Sequence, residues 1–413
     1  MLSPLTVNTV RIPNKTLLVL TLSLLIAAAP GVMATSVIEK TAATPLAESS
    51  PIGWDAYYAI SKSLHEKDEA VIAAELTKLN KKTAELPAAT KEFGFEINQP
   101  IEWFASAEGK RVMDIILSFQ TPSGGWSKRT DMAKALRQPG QAFGTEEDYV
   151  PTFDNGATST QLLLLAKAHK ATGDTRYADA FARGLALVLT AQYPNGGWPQ
   201  SFPLRGSYHD HITYNDALMR DLMLVLNNVA HAKNEFTFVS KAQQQAARNS
   251  LARALDCVIK TQVVVDGKLT VWGAQHDAKT LQPAKARAYE MISLTSSESV
   301  WMLDFLMDLD NPSEVIVKSV HAAASWYERS KITGKTWVRG AVSLDDDKNA
   351  PPLWARFYEI GTNKPVFGDR DDSIHYAIGE VSEERRLGYA WYTTAPNKVL
   401  EKYARWAKSH PLK

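Results

Sequence analysis

The chain has 413 residues, of which 46 are Lys or Arg and 45 are Asp or Glu, so its formal net charge is +1. A chain without a basic excess is poorly suited to a phosphate backbone, and nucleic acid is not expected as a partner. The single cysteine, Cys257, excludes an intrachain disulfide, and its apolar helical setting predicts a buried structural thiol.

The first 34 residues have the pattern of a secretory signal peptide. Arg11 and Lys15 precede an apolar run over residues 17–29, and small residues follow as far as Ala34. The run is too short for a bilayer span, which needs about 18 or more apolar residues. We therefore predict that residues 1–34 are removed, and that the mature protein has no membrane segment and is secreted or periplasmic.

Residues 35–53 are rich in Ala, Thr, Ser, Pro and Glu without clear periodicity, which predicts a flexible leader. A single domain is then predicted over 54–413, with short strands, for example over Trp337–Val342. The predicted helices, in chain order, are Asp55–Leu86, Arg111–Phe119, Thr158–Ala171, Arg176–Ala191, Asn215–Ala230, Gln245–Lys260, Ser297–Met307, Glu314–Trp326 and Ala395–Ser409.

A motif that occurs twice indicates an internal repeat. Gln120–Trp126 and Gln192–Trp198 share Gln-x-Pro-(Ser/Asn)-Gly-Gly-Trp, and Gln262 begins a degenerate third copy that ends at Trp272. Repetition of a helix, this loop and another helix predicts a mostly α fold. We expect an α/α toroid, an incomplete helical barrel of about three repeats, with short β segments and long loops. Each tryptophan either packs in the core or offers a flat face to a sugar.

Polar residues recur after each copy of the motif. Asp154 and Asn155 follow the first copy, Asp216 follows the second and Arg287 follows the third. If the repeats stack alike, the three loops emerge at the same end of the toroid. These side chains are then expected to converge although they are far apart in the sequence.

Two predicted helices open on an Asp beside an Asn, in the pairs Asp154-Asn155 and Asn215-Asp216. Such residues cap helix N-termini by accepting a bond from a free backbone N–H. Their oxygens are also ligands for Ca²⁺, although a helix N-terminus is mildly repulsive to a cation, so both carboxylates would be needed. The residues alone leave both interpretations open.

Basic residues cluster with aromatic residues in the later loops. Lys285 and Arg287 precede Tyr289, and Arg356 and Arg370 follow further along the chain. Each of them is either a partner in a surface ion pair or part of a site for a carboxylated sugar polymer. In such a site a guanidinium binds the carboxylate and an aromatic face binds the ring.

Taken together, these motifs resemble polysaccharide lyase family ten, the pectate lyases built as an α/α toroid. The resemblance covers roughly residues 94–407. It rests on Thr152–Thr158, the two Gly-Gly-Trp loops, Tyr214–Ala217, Ala284–Glu290 and Phe367–Asp371.

The resemblance implies Ca²⁺-dependent β-elimination of polygalacturonate, which leaves 4,5-unsaturated oligogalacturonides. By motif, calcium would be bound by Asp154, Asn155 and Asp216, and Arg287 would be the catalytic base. The residues that would bind substrate carboxylates are Lys128, Lys285, Arg356 and Arg370. We expect the protein to act as a monomer.

An arginine base conflicts with the very high pKa of a guanidinium. Calcium and other cations near Arg287 would disfavour its charged form, so we expect a lowered pKa and an alkaline optimum.

Two other functions remain open from the residues alone. An inverting glycoside hydrolase on a similar toroid would need two carboxylates, for which Asp210, Asp216 and Glu290 are candidates. A non-catalytic protein that binds an acidic polysaccharide would retain the polymer without shortening it. Only a lyase makes the absorbing 4,5-unsaturated uronide.

Overall fold

The computed structural model describes residues 53–145 and 151–412. The predicted signal peptide, residues 1–34, and the predicted leader up to residue 52 lie outside the described residues. None of the described helices is both long and apolar enough to cross a bilayer. Cys257 is fully buried, as predicted.

Short strands and single helical turns connect longer α-helices. The helices are α1 Trp54–Leu79, α2 Ala107–Ser118, α3 Ser159–Thr172, α4 Thr175–Ala191, α5 Leu218–His231, α6 Lys241–Thr261, α7 Ser296–Met307, α8 Glu314–Ser330, α9 Glu383–Gly388 and α10 Ala395–Trp406. The 3-10 helices are Ile101–Ala105, Asp154–Gly156, Ser207–Asp210, Asn215–Ala217, Asn234–Phe236 and Ile378–Glu380.

The strands pair two by two, and every pair is antiparallel. Ile212–Thr213 pairs with Gln275–His276, Val264–Val265 with Lys268–Leu269, Leu294–Thr295 with Phe357–Tyr358, Lys335–Thr336 with Asp345–Asp346, Trp354–Ala355 with Tyr392–Thr393, and Phe367–Gly368 with Ile374–His375. These two-residue ladders fix loops against one another and do not build a separate layer.

Three helical hairpins form two concentric layers. Helices α3, α5 and α7 lie side by side in the inner layer, and each packs on its outer partner, α4, α6 or α8. The outer helices also contact one another in the same order, and α10 packs against α7 and α8. This arrangement confirms the mostly helical toroid predicted from the repeat.

The three repeat tryptophans belong to the core. Trp126, Trp198 and Trp272 are fully buried. Each indole N–H donates to a backbone carbonyl of the preceding helix at 2.8 Å, on Ile116, Val188 and Val258 respectively. A buried indole needs such a partner for its N–H. The interpretation of these tryptophans as sugar-binding faces is therefore wrong.

The repeated glutamine joins each loop to the next repeat. The side-chain amide of Gln120 donates to Gly124 O at 2.7 Å and to Ala180 O at 2.8 Å. Gln192 makes the equivalent pair of bonds to Gly196 O and Ser250 O, both at 2.9 Å. Because one side chain holds its own loop and the following outer helix, successive repeats keep the same spacing.

Helix α1 packs across the first two repeat loops. Tyr57 Oη donates to Ala191 O at 2.9 Å, and Asp68 accepts bonds from the backbone N–H and the hydroxyl of Ser123, both at 2.6 Å. The predicted helix ran to Leu86, but α1 ends earlier because Asn80 adopts a left-handed conformation with φ 50°.

Two further details differ from the predictions. The strand predicted over Trp337–Val342 is absent from the described chain, and its neighbours Lys335–Thr336 form the short ladder instead. Helix α9 was not predicted because a six-residue helix is too short to show a periodic pattern.

Candidate active site

The N-terminal ends of the three inner helices meet at one end of the toroid. The 3-10 turn at Asp154–Gly156, which leads into α3, contacts the turn at Asn215–Ala217, which leads into α5. The first turn of α7 contacts the second of these turns. The toroid therefore brings together Asp154, Asp216 and, in α7, Glu298.

Local backbone geometry directs the two Asp-Asn pairs away from helix capping. Asn155 and Asp216 occupy equivalent left-handed positions, both with φ 51°, a conformation that Asn and Asp tolerate better than most residues. The residues at the N-cap positions of α3 and α5 are Thr158 and Ala217, and neither helix receives a side-chain cap bond. The capping interpretation is therefore wrong for both pairs.

The side chains of the two pairs contact one another instead. The amide nitrogen of Asn155 and that of Asn215 each donate to Asp216 Oδ2 at 2.9 Å. Lys128 Nζ donates to Asp154 Oδ2 at 2.6 Å. The other carboxylate oxygen, Asp154 Oδ1, is buried and has no hydrogen-bond partner among the described residues.

The electrostatics of this cluster favour an added positive charge. The pKa of Asp216 is raised to about 6, mainly by burial, and the nearby carboxylates of Asp154 and Glu298 contribute more than the guanidinium of Arg356 offsets. Ionisation of Asp216 is therefore unfavourable without an added cation.

Oxygen donors from Asp154, Asn155 and Asp216 fit the preference of Ca²⁺ for carboxylate and amide oxygens completed by water. Among the described residues there is no group of three or more His, Cys, Asp or Glu side chains arranged for a metal. A hard cation at this place would thus depend on the asparagine amide and on water.

Arg356 and Glu298 form a buried ion pair beside the cluster. Their side chains are 12% and 3% exposed. Arg356 also donates to Asn215 Oδ1 at 3.1 Å. Burial would lower the pKa of Arg356, but the combined electrostatic influence of Glu298, Tyr389, Asp216 and Glu290 outweighs burial and raises the pKa. Arg356 is thus fixed as a cation next to Asp216.

Glu298 was missed by the sequence analysis. It lies in the first turn of the third inner helix, α7. That helix begins as far beyond Gln262 as Asp154 lies beyond Gln120, a spacing that could have revealed it. The prediction that Arg287 is the counterpart of Asp154 in the third repeat is therefore wrong, because Arg287 lies in the loop before α7.

Arg287 is held by a buried carboxylate. Its Nε donates to Glu290 Oε2 at 2.7 Å, and its Nη2 pairs with Glu290 Oε1, which also accepts a bond from Tyr389 Oη at 2.7 Å. Burial would lower the pKa of Arg287, but the hydrogen bonds and charge of Glu290 prevail and raise it. Without calcium the pKa of Arg287 is thus raised, and the lowering expected from a bound cation stays a prediction.

Tyr389 connects the two arginines. The centre of its buried ring lies 4.5 Å from the guanidinium carbon of Arg356 and 6.0 Å from that of Arg287. Arg356 in turn contacts Asn215, next to Asp216. Arg287 therefore belongs to the same end of the toroid as the carboxylate cluster, as the repeat spacing predicted.

Lys285 and Arg370 have exposed partners. Lys285 pairs with Asp372, and Arg370 makes two bonds of 2.9 Å to Glu384. Both carboxylates are 56% exposed. Exposed ion pairs contribute little stability, so these two cations can exchange their partners for a ligand carboxylate at small cost.

A helical toroid with a carboxylate cluster and several cations at one end has a site suited to an acidic polymer, as in an enzyme that degrades acidic polysaccharides. Residues 120–400 match the family model described as pectic acid lyase. The chain belongs to the pectic acid lyase family, and it is a pectate lyase. This membership excludes the alternatives of a glycoside hydrolase and a non-catalytic binding protein.

Two solved structures of a family 10 polysaccharide lyase from Cellvibrio cellulosa are similar to this chain. One is an Asp-to-Ala mutant in complex with trigalacturonic acid, 32% identical with a TM-score of 0.66, covering 77% of this chain and 99% of that chain. The other is 33% identical with a TM-score of 0.66 and covers 78% of this chain and 100% of that chain. No curated protein sequence matches the chain.

Proposed function

We propose that this lyase cleaves α-1,4-linked polygalacturonate by calcium-assisted β-elimination and releases 4,5-unsaturated oligogalacturonides. The observation that carries the proposal is the meeting of Asp154 and Asp216 beside two fixed guanidiniums at one end of the toroid. The trigalacturonic acid bound to the similar Cellvibrio lyase supports the choice of substrate.

Asp154, Asn155 and Asp216 hold the calcium ion in this proposal. The unpartnered Oδ1 of Asp154 supports this role, as does the raised pKa of Asp216 beside Asp154. When bound, calcium supplies positive charge to the uronate carboxylate, which acidifies the adjacent C5 proton and stabilises the carbanion-like transition state.

Arg287 takes the C5 proton. The electron pair of the broken C5–H bond then forms the C4=C5 double bond, the C4–O bond breaks, and the leaving oxygen is protonated by water. Glu290 orients the guanidinium through two hydrogen bonds. Because Glu290 also raises the pKa of Arg287, the neutral base is scarce at neutral pH, and activity should increase into the alkaline range.

Four cations bind carboxylates along the polymer, namely Lys128, Lys285, Arg356 and Arg370. Arg356 is fixed by Glu298 and cannot move far, so it suits the sugar at the cleaved bond. Lys285 and Arg370 have exposed partners and suit neighbouring sugars. For Lys285 and Arg370, the carboxylate of an anionic substrate replaces the exposed internal carboxylate.

Residues 54–413 work as one catalytic domain in this proposal, and residues 1–34 direct export to the periplasm or the medium. The apolar run after Arg11 and Lys15 supports export. The mass of the secreted protein tests it, since cleavage after Ala34 removes the first 34 residues.

The deciding experiment is a digest of polygalacturonate followed at the absorbance of the unsaturated uronide, with calcium and with a strong chelator. Calcium-dependent growth of this absorbance is expected. Full activity in chelator would overturn the metal assignment, and shortened chains without the absorbance would overturn β-elimination.

A further inference from the structure

Trp301 stands out from the other tryptophans of this chain. All eleven lie in the described residues, and Trp301, at 42% exposed, is the one whose large side chain faces solvent. The others are buried or partly covered by the core. An exposed indole is not needed for packing, so its position has to be explained by something outside the core.

Trp301 lies on an inner helix close to the candidate active site. It is three residues beyond Glu298 on α7, a rise of about 4.5 Å along the helix axis. Because the inner helices pack outward on the outer layer, their solvent-exposed side chains face the open centre of the toroid. Trp301 therefore faces the concave side of the toroid, about one helical turn from Glu298.

An arginine from the neighbouring inner helix accompanies the indole. The guanidinium carbon of Arg220, in the first turn of α5, lies 5.0 Å from the ring centre of Trp301. Arg220 follows Asp216 by four residues, and Trp301 follows Glu298 by three. Each member of the pair therefore lies about one helical turn from a carboxylate of the cluster. Asp221 engages one amino group of Arg220 at 2.9 Å, and further guanidinium donors remain for a second carboxylate.

We propose that Trp301 and Arg220 form a further sugar-binding subsite. This subsite binds a uronate residue of the polymer that does not belong to the cleaved bond. The indole stacks on the sugar ring, and the guanidinium binds its carboxylate. The proposal rests on the proposed function for its ligand. It adds a residue pair from α5 and α7 that none of the motifs discussed above contains.

The subsite predicts a dependence on chain length. In the proposed arrangement trigalacturonate fills the sites lined by Arg287, Lys285 and Arg370, whereas a longer chain also extends to the opposite side and reaches Trp301. Substitution Trp301→Ala should therefore weaken binding of polygalacturonate about tenfold and leave trigalacturonate binding unchanged. Trp301→Phe keeps an aromatic face and should retain most of the affinity, and Arg220→Gln should reduce the preference for polygalacturonate over its methyl ester.

Affinity electrophoresis in gels containing polygalacturonate and a strong chelator measures binding while the proposed calcium-dependent cleavage is stopped, and calorimetry under the same conditions measures binding of the trimer. Val315→Ala on outer helix α8 is the matched control, because Val315 is also apolar and 54% exposed but lies on the other layer. Its mobility should equal that of the wild type. An unchanged thermal midpoint for Trp301→Ala shows that the fold is intact.

The outcomes separate the subsite from the proposed function. Equal retardation of the wild type and Trp301→Ala overturns the subsite, and equal loss for polymer and trimer overturns its remote position. If the gel retards the wild type but the digest with calcium gives no unsaturated product, the proposed elimination is contradicted and the subsite is not. Loss of retardation in Trp301→Ala alone supports the subsite.

Discussion

Arg287 and Glu290 form a two-point ion pair in which the carboxylate is 7% exposed and the guanidinium is 42% exposed. The buried partner is anchored a second time by Tyr389. Such a pair fixes the direction of the guanidinium towards solvent, where a substrate would lie. The same contact also stabilises the protonated form, so it sets both the orientation and the pH range of the proposed base.

Removal of the negative charge of Glu290 should shift the pH dependence of activity. In Glu290→Gln the pKa of Arg287 loses the influence that raises it, so the alkaline limb of kcat should move to lower pH. The maximal kcat should fall because the amide no longer accepts two bonds. A purely structural role of Glu290 would lower kcat equally at all pH values, and pH profiles of both proteins distinguish the two cases.

Arg287→Ala should abolish formation of the unsaturated product while polygalacturonate binding remains nearly unchanged. The reason is that the proposed base acts on a proton that is lost only during the reaction. Single-turnover absorbance and affinity electrophoresis measure the two quantities separately. Lys285→Ala is the control, because its loss should weaken binding and leave product formation at saturating substrate. Equal loss of binding in Arg287→Ala would make Arg287 a positioning residue.

Asp216→Asn should have opposite effects on stability with and without calcium. Its raised pKa shows that the ionised carboxylate is unfavourable in the metal-free protein, so the neutral amide should raise the thermal midpoint there. With calcium, the wild type should gain about 2.7 kcal/mol at one hundred times its Kd, and the variant should gain much less.

Thermal unfolding with and without calcium tests this independently of activity. Asp256→Asn is the control, since Asp256 is exposed on the outer helix α6 and pairs with Lys260. It should respond to calcium as the wild type does. Equal calcium stabilisation of Asp216→Asn and the wild type would remove Asp216 from the metal site.

Local signals in the sequence were sufficient for the toroid and for part of the site. Periodicity located the long helices, and the Gln-to-Trp motif gave the repeat because each of its residues makes a specific contact. The spacing of Asp154 and Asp216 from that motif then predicted that the two residues converge. These features depend on residues that are close in sequence or repeated.

The remaining features depend on contacts that no short pattern encodes. The third repeat has a degenerate loop, so although α7 itself was predicted to within one residue, its equivalence to the other inner helices and the role of Glu298 were missed. The partner of Arg287 is three residues away, but its second anchor, Tyr389, comes from a distant loop. The pKa of a guanidinium follows from such partners, and the sequence alone does not show that Glu290 contacts Arg287 and raises its pKa.

Asp68 should make stability fall as the pH rises. Burial raises its pKa to about 6 from an ordinary value of 3.8, so the folded state holds its proton more tightly than the unfolded state does. Its favourable protonated form is lost as pH rises from about 4 through 6. Relative to the wild type, Asp68→Asn should therefore gain about 2 to 3 kcal/mol in unfolding free energy between pH 4 and 7.

Glu75, on the same helix, provides a control of opposite sign. Burial would raise its pKa, but the ion pair with Arg137 lowers it. The stabilising contribution of Glu75 to the free energy of unfolding is thus present above the ordinary pKa of a glutamate and is lost as the pH falls. Glu75→Gln should lose stability relative to the wild type as the pH rises, and denaturant unfolding at two pH values compares both variants. The same sign for both would contradict the burial argument for Asp68.

Gly196 should tolerate alanine far less than Gly267, although both lie in equivalent loops with positive φ, 97° and 74°. A methyl group at Gly196 would lie 2.1 Å from the carbonyl oxygen of Arg253, on the outer helix of the next repeat, whereas nothing lies within 4 Å at Gly267. Gly267→Ala should cost only the left-handed strain, about 1 to 2 kcal/mol. Gly196→Ala should cost at least about 3 kcal/mol, since backbone atoms must move apart as well. Denaturant unfolding measures the difference, and equal costs would show that close packing of loop on helix does not hold the repeats together.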